Sequence, residues 1–356
     1  MKSSRRVLEL VCVIIGTFIG AGFASGKEVA VYFSKYGFVA VIMCFLVLFL
    51  FYFFITKCLY IGKKYCVSDN NIGVIFKKRN KAVRLIVLIS SLISVGAMIA
   101  GVYSLGIIVG NEISAIILPM ICMAIVFGVL IRDYRGLCAV NVIVVPVIVI
   151  LIIIITATTC CRSIAVTIPL DNVLMSAVGG GVSSIIYVFF NMLSLGILML
   201  QVGYKYSDKE IKVASKIASC IICLLILLIT LSITLSTPDV FASDMPLLQE
   251  SVHIGKFFSI IFAIAQVCGI VTTLLSSTYI SSNIVASVTN NKKSAIIIVL
   301  LVGVVVSFFG FYNIVNYLYK LTGVLSCIFF VMLYISLREA TADLSHMKLC
   351  CNTTKN

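Results

Sequence analysis

The sequence predicts an all-α membrane protein: ten transmembrane helices in two inverted repeats of five, with the first helix of each repeat broken. Three observations predict it. Apolar runs of about 20 residues, the length a helix needs to cross about 30 Å of hydrocarbon, recur along the whole chain. Of the 356 residues, 62% are hydrophobic and only 11% are charged, a balance that ordinary soluble domains do not show. The basic residues fall in short clusters between the runs, as a topology signal does. The roughly ten-residue alternating segments of a transmembrane barrel are absent.

The first helix, 7–33, contains "GTFIGAGFASGKE", with Gly16, Gly20, Gly22 and Gly26 followed by Lys27 and Glu28. Small residues at four-residue spacing let helices approach closely, so packing is one reading of these glycines. Packing does not explain Thr17, Ser25, Lys27 and Glu28 in the same span, because ionisable groups at membrane depth usually face a cavity or a partner. An unwound segment explains both features, since irregular backbone is tolerated in a membrane only where protein or water satisfies it. Glu28 is either a functional carboxylate, a proton acceptor or gate, or a residue at the outer mouth of a span that ends earlier.

Helices two to five follow at 37–61, 83–107, 112–131 and 137–159, and in the fifth Asn141 and Pro146 mark a packing hydrogen bond and a kink. The sixth, 171–202, opens the second half with Gly179, Gly180 and Gly181, then Tyr187, Phe189, Phe190 and Asn191. Interrupted segments in corresponding positions of two halves are the sequence pointer to a transporter site. Freed carbonyls before such a break suit a cation, and freed amides after it suit a carboxylate. The aromatic residues are either a lid over that site or packing and lipid-facing groups.

The seventh helix, 212–236, leads into the connection 237–254, which is either a solvated loop or carries a short interfacial helix. The eighth, 255–288, contains "GIVTTLLSSTYISSN". Its Thr272, Thr273, Ser276 and Ser277 lie at helical spacings that suit a hard cation, or they bond back to their own helix. The ninth and tenth are 294–311 and 314–336. Lys320 in the tenth pairs with Glu28, serves proton coupling or snorkels to the surface.

With the N-terminus in the cytoplasm, Lys2, Arg5, Arg6, Lys63, Lys64, Lys77, Lys78, Arg79, Lys81, Arg84, Arg132, Arg135, Lys205, Lys209, Lys212, Lys216, Lys292, Lys293, Arg338, Lys348 and Lys355 all fall inside. Lys35, Arg162 and Lys256 remain outside. This asymmetry predicts an even number of spans and two cytoplasmic termini. It also accounts for the formal charge of +14 without a nucleic-acid partner. The organisation is a single transmembrane domain, with repeat one over 7–159, repeat two over 171–336 and a short tail over 337–356.

Most of the 14 cysteines, such as Cys12, Cys44 and Cys268, sit singly in apolar runs as small core hydrophobes. Cys160–Cys161 and Cys350–Cys351 lack the spacing of a zinc site, and His253 and His346 lie outside the spans. No A-x-A-like site follows the first apolar run, so no cleavable leader is expected. No catalytic or nucleotide-binding motif is present, so no enzyme and no cofactor beyond a coupling ion is expected.

The stretch "GTFIGAGFASGKE" closely resembles the first helix of the YkvI family, bacterial membrane proteins placed among the amino acid-polyamine-organocation transporters. The resemblance implies the LeuT fold, residence in the bacterial plasma membrane and a solute held on unwound backbone of helices one and six. Carried onto this sequence, it implicates Gly20, Ala21, Gly22, Phe23 and Ser25, with Tyr187, Phe190 and Asn191, in solute binding. It implicates Thr273, Ser276 and Ser277 as sodium ligands, and the reading of Glu28 as a coupling carboxylate stands beside it on the residues alone. The expected activity is secondary transport of a small organic solute, an amino acid or related amine, coupled to sodium or protons. A nutrient-sensing receptor subunit without net flux is the alternative, and a channel is weaker because no repeated filter segment appears.

Overall fold

The computed structural model describes residues 2–37, 39–65, 76, 79–132, 137–162 and 173–353. Lys77, Lys78, Arg135 and Lys355 lie outside the described residues, as do the side chains of Lys2, Asn141, His346, Lys348, Cys350 and Cys351.

Every regular element among the described residues is helical. Eight segments are long and apolar enough to cross a membrane: Val39–Tyr65, Asn80–Val109, Glu112–Ile131, Val145–Arg162, Ala177–Lys205, Asp208–Leu235, Lys256–Thr289 and Phe311–Arg338. Their outer faces are apolar too. Ile113, Ile116, Ile117, Met120, Ile121 and Ile125 are all exposed on one such segment, an arrangement that lipid tolerates and water does not. The chain is therefore a helical protein that crosses the membrane several times.

The first apolar stretch is in three pieces, α1 (Lys2–Phe18), α2 (Ala21–Ala24) and α3 (Lys27–Tyr32). The expected interruption of this helix is present. The chain continues through α4 (Val39–Tyr65), α5 (Asn80–Val109), α6 (Glu112–Arg132), α7 (Leu137–Arg162), α8 (Val173–Val202) and α9 (Asp208–Leu235). Two short helices, α10 (Pro238–Ala242) and α11 (Pro246–Val252), fill the next connection, each opened by a proline whose fixed φ suits a first turn. Then come α12 (Lys256–Thr289), the 16-residue α13 (Lys292–Ser307) and α14 (Phe311–Asn313). A π-helical turn over Ile314–Leu318 joins α14 to α15 (Tyr319–Thr353).

The three pieces of the first segment thread the centre of the bundle. α1 lies against α7, α8 and α9, α2 against α5 and α12, and α3 against α8, α9 and the π-helical turn. α4 and α8 form the most extensive pairing, and glycines make it close. A Cβ on Gly62 would stand 2.1 Å from the Leu200 carbonyl oxygen, and one on Gly203 would stand 2.1 Å from that of Leu59. Only glycine lets these backbones meet.

The second expected break is corrected by the structure. α8 runs without interruption past Tyr187, Phe190 and Asn191 to Val202. Neither glycine nor proline occurs between Gly181 and Gly196, so nothing there releases the helical ladder. The triple glycine instead makes room for neighbours. A Cβ on Gly179 would stand 3.1 Å from Tyr36 Cε1, and one on Gly180 would stand 3.5 Å from Tyr36 Cγ.

Candidate functional site

The first break falls at Ile19 and Gly20, where Gly20 is extended (φ −102°, ψ −173°). The second falls at Ser25 and Gly26, where Gly26 is left-handed (φ +82°), a conformation that favours glycine. Leu247 would also crowd any Cβ there, at 2.8 Å. Ser25 bridges this second break. Its hydroxyl donates to the Gly22 carbonyl at 3.0 Å and accepts from the Lys27 N–H at 3.2 Å.

A break inside a membrane leaves carbonyls that must find donors. The Thr273 hydroxyl reaches the Ile19 carbonyl at 3.3 Å, and the Gln266 amide donates to the Ala24 carbonyl at 2.8 Å. The Leu247 N–H donates to the Ser25 carbonyl at 3.0 Å. Two of the three donors come from α12 and one from α11, so these elements are tied to the interrupted segment by its own backbone.

Lys27 is 1% exposed, and its ammonium donates to the carbonyls of Phe241, Ala242 and Ser243 at 3.2, 3.2 and 2.7 Å. These are the groups left without partners at the end of α10, where the helix dipole also favours a positive charge. The ammonium stands 4.6 Å from the Tyr312 ring centroid as well. Ser104 on α5 donates to Asp244 just beyond, at 2.8 Å. The α10–α11 connection is thus a cap drawn down onto the second break.

Glu28 is 2% exposed and points back at the second piece, α2. A Cβ on Gly22 would stand 2.2 Å from Glu28 Oε1, so the carboxylate lies in space that a glycine leaves open. Its Oε2 has no hydrogen-bond partner, and neither do the hydroxyls of Tyr32 and Tyr187. Both rings, and that of Tyr319, lie within electrostatic reach of the carboxylate, and the Tyr187 hydroxyl is the one nearest to bonding it. Tyr187 packs against Tyr32 at 5.2 Å between centroids and Phe33 at 5.1 Å, and Phe18 stands edge-on to Phe23 at 4.7 Å.

The structure brings Gly20, Ala21, Gly22, Phe23 and Ser25 together at the centre with Glu28 and Tyr187. Phe190 is one step away, stacked on Tyr319 at 4.2 Å. Asn191 donates to the Tyr187 carbonyl one turn back at 3.0 Å. Of the three hydroxyls on α12, Thr273 reaches the first break, Ser276 bonds back to the carbonyls of Thr272 and Thr273, and Ser277 pairs with Ser94 of α5 at 3.0 Å. Lys320 bonds Asn316 one turn back at 3.2 Å and not Glu28. Among the described residues no group of three or more His, Cys, Asp or Glu side chains is placed to hold a metal ion.

Sequence reasoning missed the partners of Lys27 and the role of Gln266. Gln266 carried a signal, a lone amide within an apolar run. The carbonyls that Lys27 binds lie more than 200 residues away and carry none. No family model matches the chain, and no characterised protein is significantly similar to it.

Proposed function

We propose that the chain is a secondary active transporter of a small organic solute, an amino acid or related amine, coupled to sodium or a proton by alternating access. The observation that carries this reading is the twice-broken first segment with Glu28 buried beside it at the centre of the bundle. Interrupted helices at membrane depth are where transporters hold solute and ion. Gly20, Ala21, Gly22, Phe23 and Ser25, with Tyr187, Phe190 and Asn191, form the proposed solute site. Thr273 and the Ile19 carbonyl, with Ser276, are the proposed ion ligands, and Ser277 would join them by leaving Ser94. Glu28 is the proposed coupling carboxylate.

Closure at both ends of the first segment supports alternating access. Lys27 and Leu247 hold the α10–α11 cap over one end. At the other, Arg6 of α1 pairs with Glu210 at 3.5 Å, donates to the Lys205 carbonyl and stands over the Tyr206 ring at 5.4 Å. A transport cycle would open these two closures in turn.

Counting the broken first segment and α13 with the eight long helices gives ten, as two opposed sets of five would require. That count and the first-helix motif support the YkvI resemblance and the LeuT-like plan. They also support a bacterial plasma-membrane location with both termini cytoplasmic. The test is thermal stabilisation of the purified chain in liposomes by amino acids and amines, with and without sodium, because a ligand of the folded state raises its stability by mass action. A sodium- or pH-dependent shift lost in Gly22→Leu is expected. No shift from any solute would remove the reading's main support.

A further inference from the structure

Glu250 of α11 is a carboxyl that the central site does not use, and it is 2% exposed. Three hydroxyls converge on it from two other helices. Its Oε2 lies 2.5 Å from Ser232 Oγ of α9 and 3.2 Å from Thr159 Oγ1 of α7, and its Oε1 is in close contact with Ser236 Oγ at the C-cap of α9. The same Ser236 oxygen lies 2.8 Å from the Ser232 carbonyl. A hydroxyl carries one proton, whereas a carbonyl and a carboxylate oxygen only accept. An ionised Glu250 therefore leaves Ser236 with one proton for two acceptors, and one of its contacts sets lone pair against lone pair. A proton on Oε1 completes the network, because Oε1–H then donates to Ser236 and Ser236 donates to the Ser232 carbonyl.

Among the described residues no ion pair joins Glu250. The titratable groups that face it are Cys160 of α7 and His253 just beyond α11, and Arg162 of α7 donates to the His253 carbonyl. α9 presents the two serines, while Asp239 of α10 and Lys256 of α12 are exposed and form no ion pair with it. The ammonium of Lys27, from the first segment, is taken by the carbonyls of α10. A buried carboxylate without a cation is costly, and a proton removes that cost.

From this geometry we propose that Glu250 is a proton site that latches the α10–α11 cap: the protonated carboxyl ties α11 to α7 and α9, and loss of its proton to water releases that tie. The inference goes beyond the transporter reading and holds whether or not the chain moves a solute. Leu247 and Lys27 tie the cap to the first segment, so release at Glu250 loosens α11 without freeing the whole connection.

The test is amide exchange by mass spectrometry on the purified chain in lipid nanodiscs from about pH 4.5 to 7.5, with rates corrected for the intrinsic pH dependence of exchange. Protection of α11 is expected to fall about tenfold across that range while α6 is unchanged. Glu250→Gln, which keeps a donor and an acceptor and cannot ionise, is expected to stay protected throughout. His253→Gln, at an exposed position, is expected to keep the native profile. Protection of α11 that is flat with pH in the native chain, or a pH dependence that persists in Glu250→Gln, would overturn the proposal. Loss of the dependence in His253→Gln would overturn it too, by assigning the titration to the imidazole. If Glu250→Gln does not fold, the other two profiles decide: both falling together supports the latch, and either one staying flat sinks it.

Discussion

The Glu28 side chain lies in the space that Gly22 leaves by having no Cβ; such an atom would stand 2.2 Å from Oε1 and 2.5 Å from Cγ. Gly22→Ala therefore drives the carboxylate out of its seat. The displaced atoms belong to a flexible side chain, so the fold survives at a cost of about 1–3 kcal/mol, while solute-dependent stabilisation is lost. Gly62→Ala is the contrasting variant, because there a Cβ meets the Leu200 carbonyl oxygen at 2.1 Å and backbone cannot yield cheaply. Yield of monodisperse protein and unfolding temperature, measured side by side, check both.

Lys27→Met removes the ammonium from three carbonyls and leaves them without that donor in a buried setting. At about 1–3 kcal/mol for such a loss, amide exchange across residues 237–254 rises roughly five- to hundredfold. Helices remote from the cap, such as α6, keep their exchange rates. Exchange measured by mass spectrometry reads this directly, and an unchanged cap would mean that Lys27 is not its anchor.

Much of the fold is legible in the sequence because lipid demands long apolar helices, and their lengths and basic flanks survive as pattern. The break in the first segment is legible for a related reason. Glycines alone do not announce one, but glycines beside Ser25, Lys27 and Glu28 in an apolar run do. The glycines of α8 illustrate the limit, since Gly179 and Gly180 accommodate Tyr36, and the buried Ser183 and Ser184 beside them donate to the carbonyls of Tyr32 and Gly180 while the helix stays unbroken. The cap is illegible in its contacts, because Lys27 and Leu247 meet backbone carbonyls, which every residue possesses.

Glu250 of α11 gives a pH dependence outside the spans. It accepts from the hydroxyls of Thr159 at 3.2 Å, Ser232 at 2.5 Å and Ser236. Burial pushes its carboxyl above the ordinary 4.5, against the pull of these hydroxyls and of nearby His253. The folded state then binds this proton more readily than the unfolded chain does. The associated stability is complete below about pH 4.5 and is lost as pH rises through the raised value. Glu250→Gln, neutral throughout, removes that slope. Unfolding temperatures of both proteins from about pH 4 to 7 test it, and parallel curves would contradict it.

Thr273 and Ser277 separate ion binding from packing. If sodium is the coupling ion, Thr273→Ala weakens the sodium response roughly tenfold or more, a loss of about 1.4 kcal/mol. Ser277→Ala loses its hydrogen bond to Ser94, costs about 1 kcal/mol of stability and changes the sodium response less. Sodium titrations followed by thermal unfolding distinguish the two.

Uptake by proteoliposomes under an imposed sodium or proton gradient tests transport itself. The account predicts that labelled solute accumulates above its external concentration, that collapsing the gradient abolishes accumulation, and that Glu28→Gln does not accumulate. Binding of the solute with no accumulation, or leakage that only dissipates gradients, would contradict it and make the chain a receptor subunit or a channel.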